Sequence, residues 1–550
     1  MSPQPLRRWR SPLLQIAVIS VSFLIALPMA AILWMGVTAG TDDLPHLVET
    51  VLPRALGRTL TLMVLISLAT GITGILTAWL TVAFDFPFRR ILTVALVLPL
   101  AMPTYLAAYA AGEVFDYAGP LQSLLRTVFG FHSARDYWFP DIRTTSGAVF
   151  IMGSVLYPYV YLSCRSLFLL QGRSAADVAR TLGASPMRVF FTVQLPMARP
   201  AIAAGLTLVG METLNDIGAV EYLGVNTLTF AIYDTWLNRG SLAGAAQIAS
   251  FMLVFIGALI VIERHARHRQ RFHTGKAAQA LIDSTRVRPA KGWGWLMTLA
   301  CLAPVIGGFL MPFLMLSSYA IKRLDLFGSP ALWNALGNTV LVGCATAIIS
   351  VGFAFLLAYS ARLGRNRATG IAARIAAFGY GIPGTVLAIG VLIPLAGIDN
   401  LVSAFLRDVF GLRLGLLLSG TMFAIVFALT VRFLTMAEGT VEAGFQKLPV
   451  NLDHASRTLG RTSSQTLWTI LVPSMRPAVL TAALLVFIET IKELSATMLL
   501  RPFNFNTLAT LVYEDASRAK VEDASVPAMI IILAGLIPVM IVLRSLEKGR

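Results

Sequence analysis

The sequence predicts an all-α polytopic membrane protein of about twelve transmembrane helices, arranged as two parallel six-helix repeats. Three observations predict it. Hydrophobic residues fill 56% of the 550 positions and charged residues only 13%, about half the charge of a soluble globular chain. Apolar runs near the roughly 20 residues that cross a bilayer recur along the whole chain. Stretches of the first half return in the second at a fixed offset. The runs are continuous rather than alternating, which argues against a membrane β-barrel.

Twelve candidate spans follow in order: 13–37, 57–82, 90–112, 146–170, 201–222, 243–263, 293–317, 337–361, 370–395, 414–436, 478–499 and 525–544. The first follows Arg-Arg-Trp-Arg but is long enough to span, so it is read as a helix rather than a cleavable leader. Basic residues set the orientation. They gather at Arg89 and Arg90, from Arg173 to Arg199, in ERHARHRQRFHTGK (263–276), in ARLGRNR (361–367) and in RSLEKGR at the C-terminus. These loops are placed in the cytoplasm, with both termini. IKRLDLF (321–327) is a basic exception outside. The net charge of +16 is then assigned to anionic lipid, not nucleic acid. Cys164, Cys301 and Cys344 show no metal-ligand spacing and read as small buried residues.

The repeat fixes the organisation. Arg180-Thr-Leu-Gly183 returns as Arg457-Thr-Leu-Gly460, Pro196 as Pro473, and Arg199-Pro200 as Arg476-Pro477. Glu212-Thr213 returns as Glu489-Thr490 and Ala219 as Ala496, all at one offset of 277 residues. Asn226-Thr-Leu228 matches Asn506-Thr-Leu508 with a three-residue slip; Ala55-Leu-Gly57 matches Ala335-Leu-Gly337, and Pro103 matches Pro383. The expected division is a tail, first span and outer loop (1–54), a first unit (55–263), a basic cytoplasmic linker (264–292), a seventh span with its loop (293–334), a second unit (335–544) and a tail (545–550).

The stretch between the fourth and fifth spans, DVARTLGASPMRVFFTVQLPMARP (177–200), has its own local logic. Ser174 with Asp177 three residues on makes a capping box, so a short helix starts at Ala175. Gly183 stops it, because glycine takes a left-handed φ cheaply. Ser185-Pro186 starts a second helix, and Pro196 is expected to end it. In HASRTLGRTSSQTLWTILVPSMRP (454–477), Asn451 and Thr462 are the caps, Gly460 the stop and Pro473 the end. Two such loops suit two copies of one partner better than mere surface-lying helices do.

This pattern resembles the EAA loop of ABC-importer permeases: an acidic-Ala-Ala start, a glycine four residues after the second alanine, then Leu-Pro. Here the start is Asp177-Val178-Ala179 in one copy and His454-Ala455-Ser456 in the other, so the Gly, the preceding Arg-Thr-Leu and the Pro carry the match. The resemblance implies a type I ABC importer permease fold. It implies coupling helices that dock on ATP-binding subunits through Asp177, Ala179, Arg180, Gly183 and Pro196, and through His454, Ser456, Arg457, Gly460 and Pro473. METLNDIGAVEYLGVNTLTFAIYDTW (211–236) and KELSATMLLRPFNFNTLATLVYEDAS (492–517) narrow it towards fused, two-unit ferric-iron permeases. Two ATPase subunits and a periplasmic binding protein are the implied partners, and a bacterial inner membrane is the implied location. No G-x-x-x-x-G-K-[ST] occurs, so ATP and magnesium are expected on the partner ATPase, this chain carries no cofactor, and the chain is not itself an enzyme.

Glu212 and Asp216, four apart, are expected on one face of the fifth span; Glu489 and Glu493 repeat that spacing in the eleventh. A carboxylate at mid-bilayer costs about 2.5–3.5 kcal/mol on insertion scales. The four acids therefore either line a cation path, as hard-cation chemistry would want, or only bond neighbours such as Lys492. His265, His268 and His273 sit in the basic linker and read as solvated. Tyr105, Tyr109, Tyr157, Tyr159 and Tyr161 read as packing or interfacial residues. RPFNFNTL (501–508) reads as an outer loop, either in contact with the binding protein or as a helix-entry turn. The expected function is an ATP-driven import permease for ferric iron. Thiamine or polyamine permeases and an ion-coupled secondary transporter are the alternatives.

Overall fold

The computed structural model describes residues 12–40, 44–170, 179, 181–268, 286–290, 292–363, 379–412, 415–449 and 451–548. Helices are the regular structure of these residues, apart from one isolated parallel bridge between Phe84 and Val287. Among the described residues, eleven helices are long and apolar enough to cross a membrane; the pair Arg89–Ala101 and Thr104–Phe129, bent by 99°, makes a twelfth if counted as one span. The all-α class with about twelve spans stands.

The bent pair corrects the third expected span, 90–112. The chain breaks at Met102-Pro103, where Pro103 has φ −58° and ψ 138° and starts helix Thr104–Phe115. Pro383 does the same for helix Gly384–Phe410, with φ −59° and ψ 145°. Proline fixes φ and lacks the N–H a continuous helix needs, so a break falls before it.

Pro196 and Pro473 behave differently, against expectation: neither ends a helix. Each is the second residue of a long helix, Leu195–Asn215 or Val472–Ile491, that continues from a five-residue π turn, Phe190–Gln194 or Leu467–Leu471. The residue before the proline closes that turn five residues back, Leu195 N–H to the Phe190 carbonyl and Val472 N–H to the Leu467 carbonyl. Leu52 before Pro53 and Met311 before Pro312 repeat the device. A proline ring clashes with the carbonyl four residues back; one widened turn makes room for it while the helix runs on.

The chain forms two compact units. One comprises Pro45–Asp234, Val254–Ser329 and Leu511–Arg550. Its centre is three mutually packed helices, Leu52–Ala83, Thr145–Leu170 and Leu195–Asn215. Val160 sits between two glycines: a Cβ on Gly74 would lie 2.7 Å from the Val160 Cβ, and one on Gly205 would lie 2.8 Å from the Val160 Cα. Small residues let membrane helices approach closely, where packing rather than water drives association. Helix Met311–Lys322 packs on Val521–Lys548 and Thr104–Phe115 in this unit.

The other unit comprises Met1–Leu44, Thr235–Leu253 and Pro330–Thr510. Its centre is Pro330–Arg362, Met422–Gln446 and Val472–Ile491. Ala354, Ala437 and Ala482, all fully buried, take the places of Gly74, Val160 and Gly205: three medium-small residues replace two smallest and one larger. Helix Pro12–Thr38 packs on Gly384–Phe410 and Pro330–Arg362. The units thus exchange peripheral helices between the sequence copies: the second copy's last span completes the unit built on the first copy's core.

Two of the repeated motifs meet in each unit. The Thr59 hydroxyl donates to the Ala55 carbonyl (2.8 Å) and accepts from Leu228 N–H (2.9 Å). Thr339 donates to Ala335 (2.7 Å) and accepts from Leu508 N–H (2.8 Å). The Ala-Leu-Gly and Asn-Thr-Leu matches are two sides of one clasp. Cys164 and Cys301 are buried as expected, while Cys344 is exposed, because Pro330–Arg362 turns that part of its surface outward beside Trp333 and Leu341.

Candidate functional site

The two loops keep their expected stops. Gly183 has φ +86° and Gly460 φ +79°. In both, the residue after the glycine closes the helix end over five residues: Ala184 N–H to the Ala179 carbonyl (3.1 Å) and Arg461 N–H to the Ser456 carbonyl (3.1 Å). The second helices start as expected. Ser185 Oγ accepts from Arg188 N–H (3.4 Å). Thr462 and Gln465 form a reciprocal capping box, with Thr462 N–H to Gln465 Oε1 at 2.9 Å and Gln465 N–H to Thr462 Oγ1 at 3.3 Å. Ser174, Ala175, Asp177 and Arg180 lie outside the described residues, as do the side chains of His454 and Arg457 and most of the histidine-bearing linker.

The second loop is tied down by contacts that sequence reasoning missed. The Ser456 and Thr466 hydroxyls bond at 2.7 Å in a buried site, locking its two short helices together. Arg362, the last residue of its helix, reaches Asp453 at 2.7 Å and donates to the carbonyls of Phe445, Leu448 and Pro449. A guanidinium has five N–H donors in a fixed fork, so one side chain joins three segments. Both loops also present apolar side chains at matched positions: Leu182 and Leu459 are 82% and 80% exposed, and Phe191 and Trp468 are 57% and 67% exposed. The 277-residue offset that revealed the repeat pairs these residues too.

The acids do not share helix faces as expected. Helix Leu195–Asn215 ends before Asp216, and Val472–Ile491 ends before Glu493. Each acid instead caps the short helix that follows. Asp216 Oδ1 accepts from Ala219 N–H (2.9 Å). Glu493 accepts from Ala496 N–H (2.8 Å), Thr497 N–H (3.1 Å) and the Thr497 hydroxyl (2.8 Å). A carboxylate at a helix start satisfies N–H groups that no carbonyl reaches. The copies then diverge. Glu493 pairs with Arg432 at 2.9 Å, both buried, whereas the position matching Arg432 in the first copy is Val155. Asp216 is buried and its Oδ2 makes no hydrogen bond. Glu489 pairs with Lys492 at 2.7 Å, and Glu212 stays on its helix with partners of its own.

A second group of polar residues was not found in the sequence. A cavity of about 280 Å³ is lined by Tyr109, Glu113, Arg143, Glu221, Tyr222 and Tyr513, among others. The Tyr513 hydroxyl donates to Glu221, 2.8 and 2.9 Å from its two oxygens, and lies 3.1 Å from the Tyr233 hydroxyl. Tyr319 donates to Glu113 at 3.0 Å. Arg143 lies over the Tyr222 ring, 4.9 Å from its centroid, with its Nη2 3.4 Å from the hydroxyl; that hydrogen bond raises the guanidinium further above its already high value. Gly112 leaves room for the Tyr222 ring, which a Cβ would strike. No local pattern announces this group, because Glu221 and Tyr513 are almost three hundred residues apart and come from different sequence copies.

Comparison with known proteins agrees with the architecture. The family model described as "Binding-protein-dependent transport system inner membrane component" matches twice, over residues 70–271 and 350–549. The chain is 22% identical over 533 residues to the Fe(3+)-transport system permease protein FbpB 2 of Haemophilus influenzae, covering 96% of this chain and 97% of that one. It is 22% identical over 431 residues to the ferric transport system permease protein FbpB of Actinobacillus pleuropneumoniae, covering 74% and 58%. It is 31% identical over 195 residues to the molybdenum transport system permease protein ModB of Escherichia coli K12, covering 34% and 82%. Two family domains in one chain, each with its glycine-stopped loop running through a π turn into a long apolar helix, leave one conclusion: this protein belongs to the binding-protein-dependent inner membrane components, the permeases of ABC importers.

Proposed function

We propose that the chain forms the substrate pathway of a ferric-iron importer, driven by two separate ATPase subunits and loaded by a periplasmic binding protein. Both termini and both glycine-stopped loops face the cytoplasm. The observation that carries the iron reading is the extent of one match: the ferric permease of Haemophilus influenzae aligns with nearly the whole chain, both copies included. Coupling follows from the loops. Leu182, Phe191, Leu459 and Trp468 are apolar and exposed, which suits docking in grooves of a partner. Each loop runs through a π turn into a helix at the centre of its unit, so a displacement at the loop moves that core helix. Asp177, Ala179, Arg180, Gly183 and Pro196, with His454, Ser456, Arg457, Gly460 and Pro473, form or shape these handles. Alternating access of this kind shifts packed helices around a site. Asp216 and Glu493 accept from the first N–H groups of the short helices that follow the core helices and so fix where those short helices start.

An oxyanion importer is the second reading, favoured by the 31% identity to a molybdenum permease over one copy. Uptake separates the two. Membrane vesicles carrying the chain with its ATPase and binding protein should accumulate radiolabelled ferric iron in an ATP-dependent way. Excess molybdate, sulfate, thiamine or polyamine should not compete. ATP-dependent uptake of radiolabelled molybdate with no iron uptake would replace the first reading by the second.

A further inference from the structure

The cavity bounded by Glu113, Glu221, Tyr109, Tyr222 and Tyr513 has a chemistry that the coupling machinery does not use. Its lining sets two carboxylates against one guanidinium. What faces Glu221 is the neutral hydroxyl of Tyr513 rather than a lysine or arginine. Tyr233 extends the cluster from the other side of that hydroxyl. Behind Tyr109 and within its electrostatic reach lies Asp216, buried and with one oxygen unbonded. Ala519, whose φ is +58°, turns the chain so that Ser517, Ala519 and Val521 close one wall. A left-handed φ costs a non-glycine residue of order 1 kcal/mol. The cavity is therefore a built feature with an excess of negative oxygen donors.

Carboxylate and phenolate oxygens are hard donors, and hard, highly charged cations prefer them. A simple oxyanion meets the opposite field there. We infer that Glu221, Tyr513 and Tyr233, with Glu113 across the cavity, form a transit site for a hard trivalent cation. The inference rests on the iron reading and gives it a location. Entry of the cation displaces the Tyr513 hydroxyl proton to water in the cavity. The phenolate oxygen and the Glu221 carboxylate, no longer bonded through that proton, both turn to the cation. One proton leaves for each phenolate formed, so binding tightens as pH rises. The site holds its cargo with few protein ligands, which keeps release possible; conduction needs binding weak enough to leave.

The test uses the purified full-length chain in detergent, titrated with ferric nitrilotriacetate. Phenolate bound to ferric iron gives a visible charge-transfer absorption that carboxylates alone do not. The wild type should show the band, should release protons on binding, and should be competed by gallium(III). Tyr513→Phe should abolish the band, and Glu221→Gln should weaken apparent binding at least tenfold; Tyr233→Phe serves if Tyr513→Phe does not fold. An unchanged band in Tyr513→Phe, or none in the wild type, overturns the site. Uptake keeps the two readings apart. Wild-type vesicles that import ferric iron while Tyr513→Phe and Glu221→Gln vesicles import it equally well would remove the transit site and leave the importer. Wild-type vesicles that import none would remove the importer itself.

Discussion

Arg432 and Glu493 show how one residue sets the difference between the copies. Two buried charges are tolerable only as a pair, because removing one partner strands the other in a medium that cannot solvate it. Arg432→Ala should therefore lower stability by about 3–5 kcal/mol, read as a lower midpoint of thermal unfolding in detergent. Arg432→Met with Glu493→Gln should recover most of that loss, since no charge is then left unpaired. Asp136 offers a milder case on a loop outside the spans. The backbone N–H groups of His132 and Ser133 donate to its carboxylate at 2.8 and 2.7 Å and hold it below its ordinary value. The bonded form is the charged one. The turn is thus fully held above the unfolded aspartate value of about 3.9 and loosens as pH falls through the lower folded value. Hydrogen exchange at these two amides, after correction for intrinsic rates, should be protected at pH 6 and lose that protection towards pH 2–3.

Helix packing is where sequence and structure part company in an instructive way. The helices themselves were legible, because an apolar run of bilayer length has few alternatives. The stops at Gly183 and Gly460 were legible as well, since a left-handed φ leaves a glycine at a fixed place. Pro196 and Pro473 misled for a physical reason: proline breaks an ideal helix, and only the structure reveals the π turn that absorbs it. Asp216 and Glu493 misled for the same kind of reason, as four-residue spacing implies a shared face only if the helix is intact between them. The Glu221–Tyr513 contact had no local signal at all. The junction of Gly74, Val160 and Gly205 was equally silent until its alanine counterpart could be set beside it. Gly205→Val should cost about 1–3 kcal/mol through overpacking, because its Cβ would meet the Val160 backbone. Ala482→Gly at the matching place should cost about 1 kcal/mol, the helix propensity difference, with no clash to relieve. Thermal unfolding of both variants checks the contrast.

For the molecule as a whole, the proposed docking of the two loops can be tested at their matched exposed apolar residues. Leu182→Ser with Phe191→Ser should weaken association with the ATPase subunits, and Leu459→Ser with Trp468→Ser should do the same at the other loop. Either pair should cut uptake at least tenfold while the chain remains in the membrane. Affinity capture of the ATPase with a tagged permease gives the association, and vesicle uptake gives the function. Loss of uptake with unchanged capture would place these residues in packing rather than docking.

The exchange of peripheral helices carries a consequence for how the protein is made. Helix Pro12–Thr38 leaves the ribosome long before Gly384–Phe410, the neighbour it packs against, has been translated. The unit built on the first copy's core waits for Val521–Lys548, among the last residues synthesised. The unit built on the first copy's core cannot finish assembling during translation of its own half, and the other unit cannot begin its core until Pro330 is reached, so a nascent chain interrupted at the midpoint exposes unfinished surfaces in both.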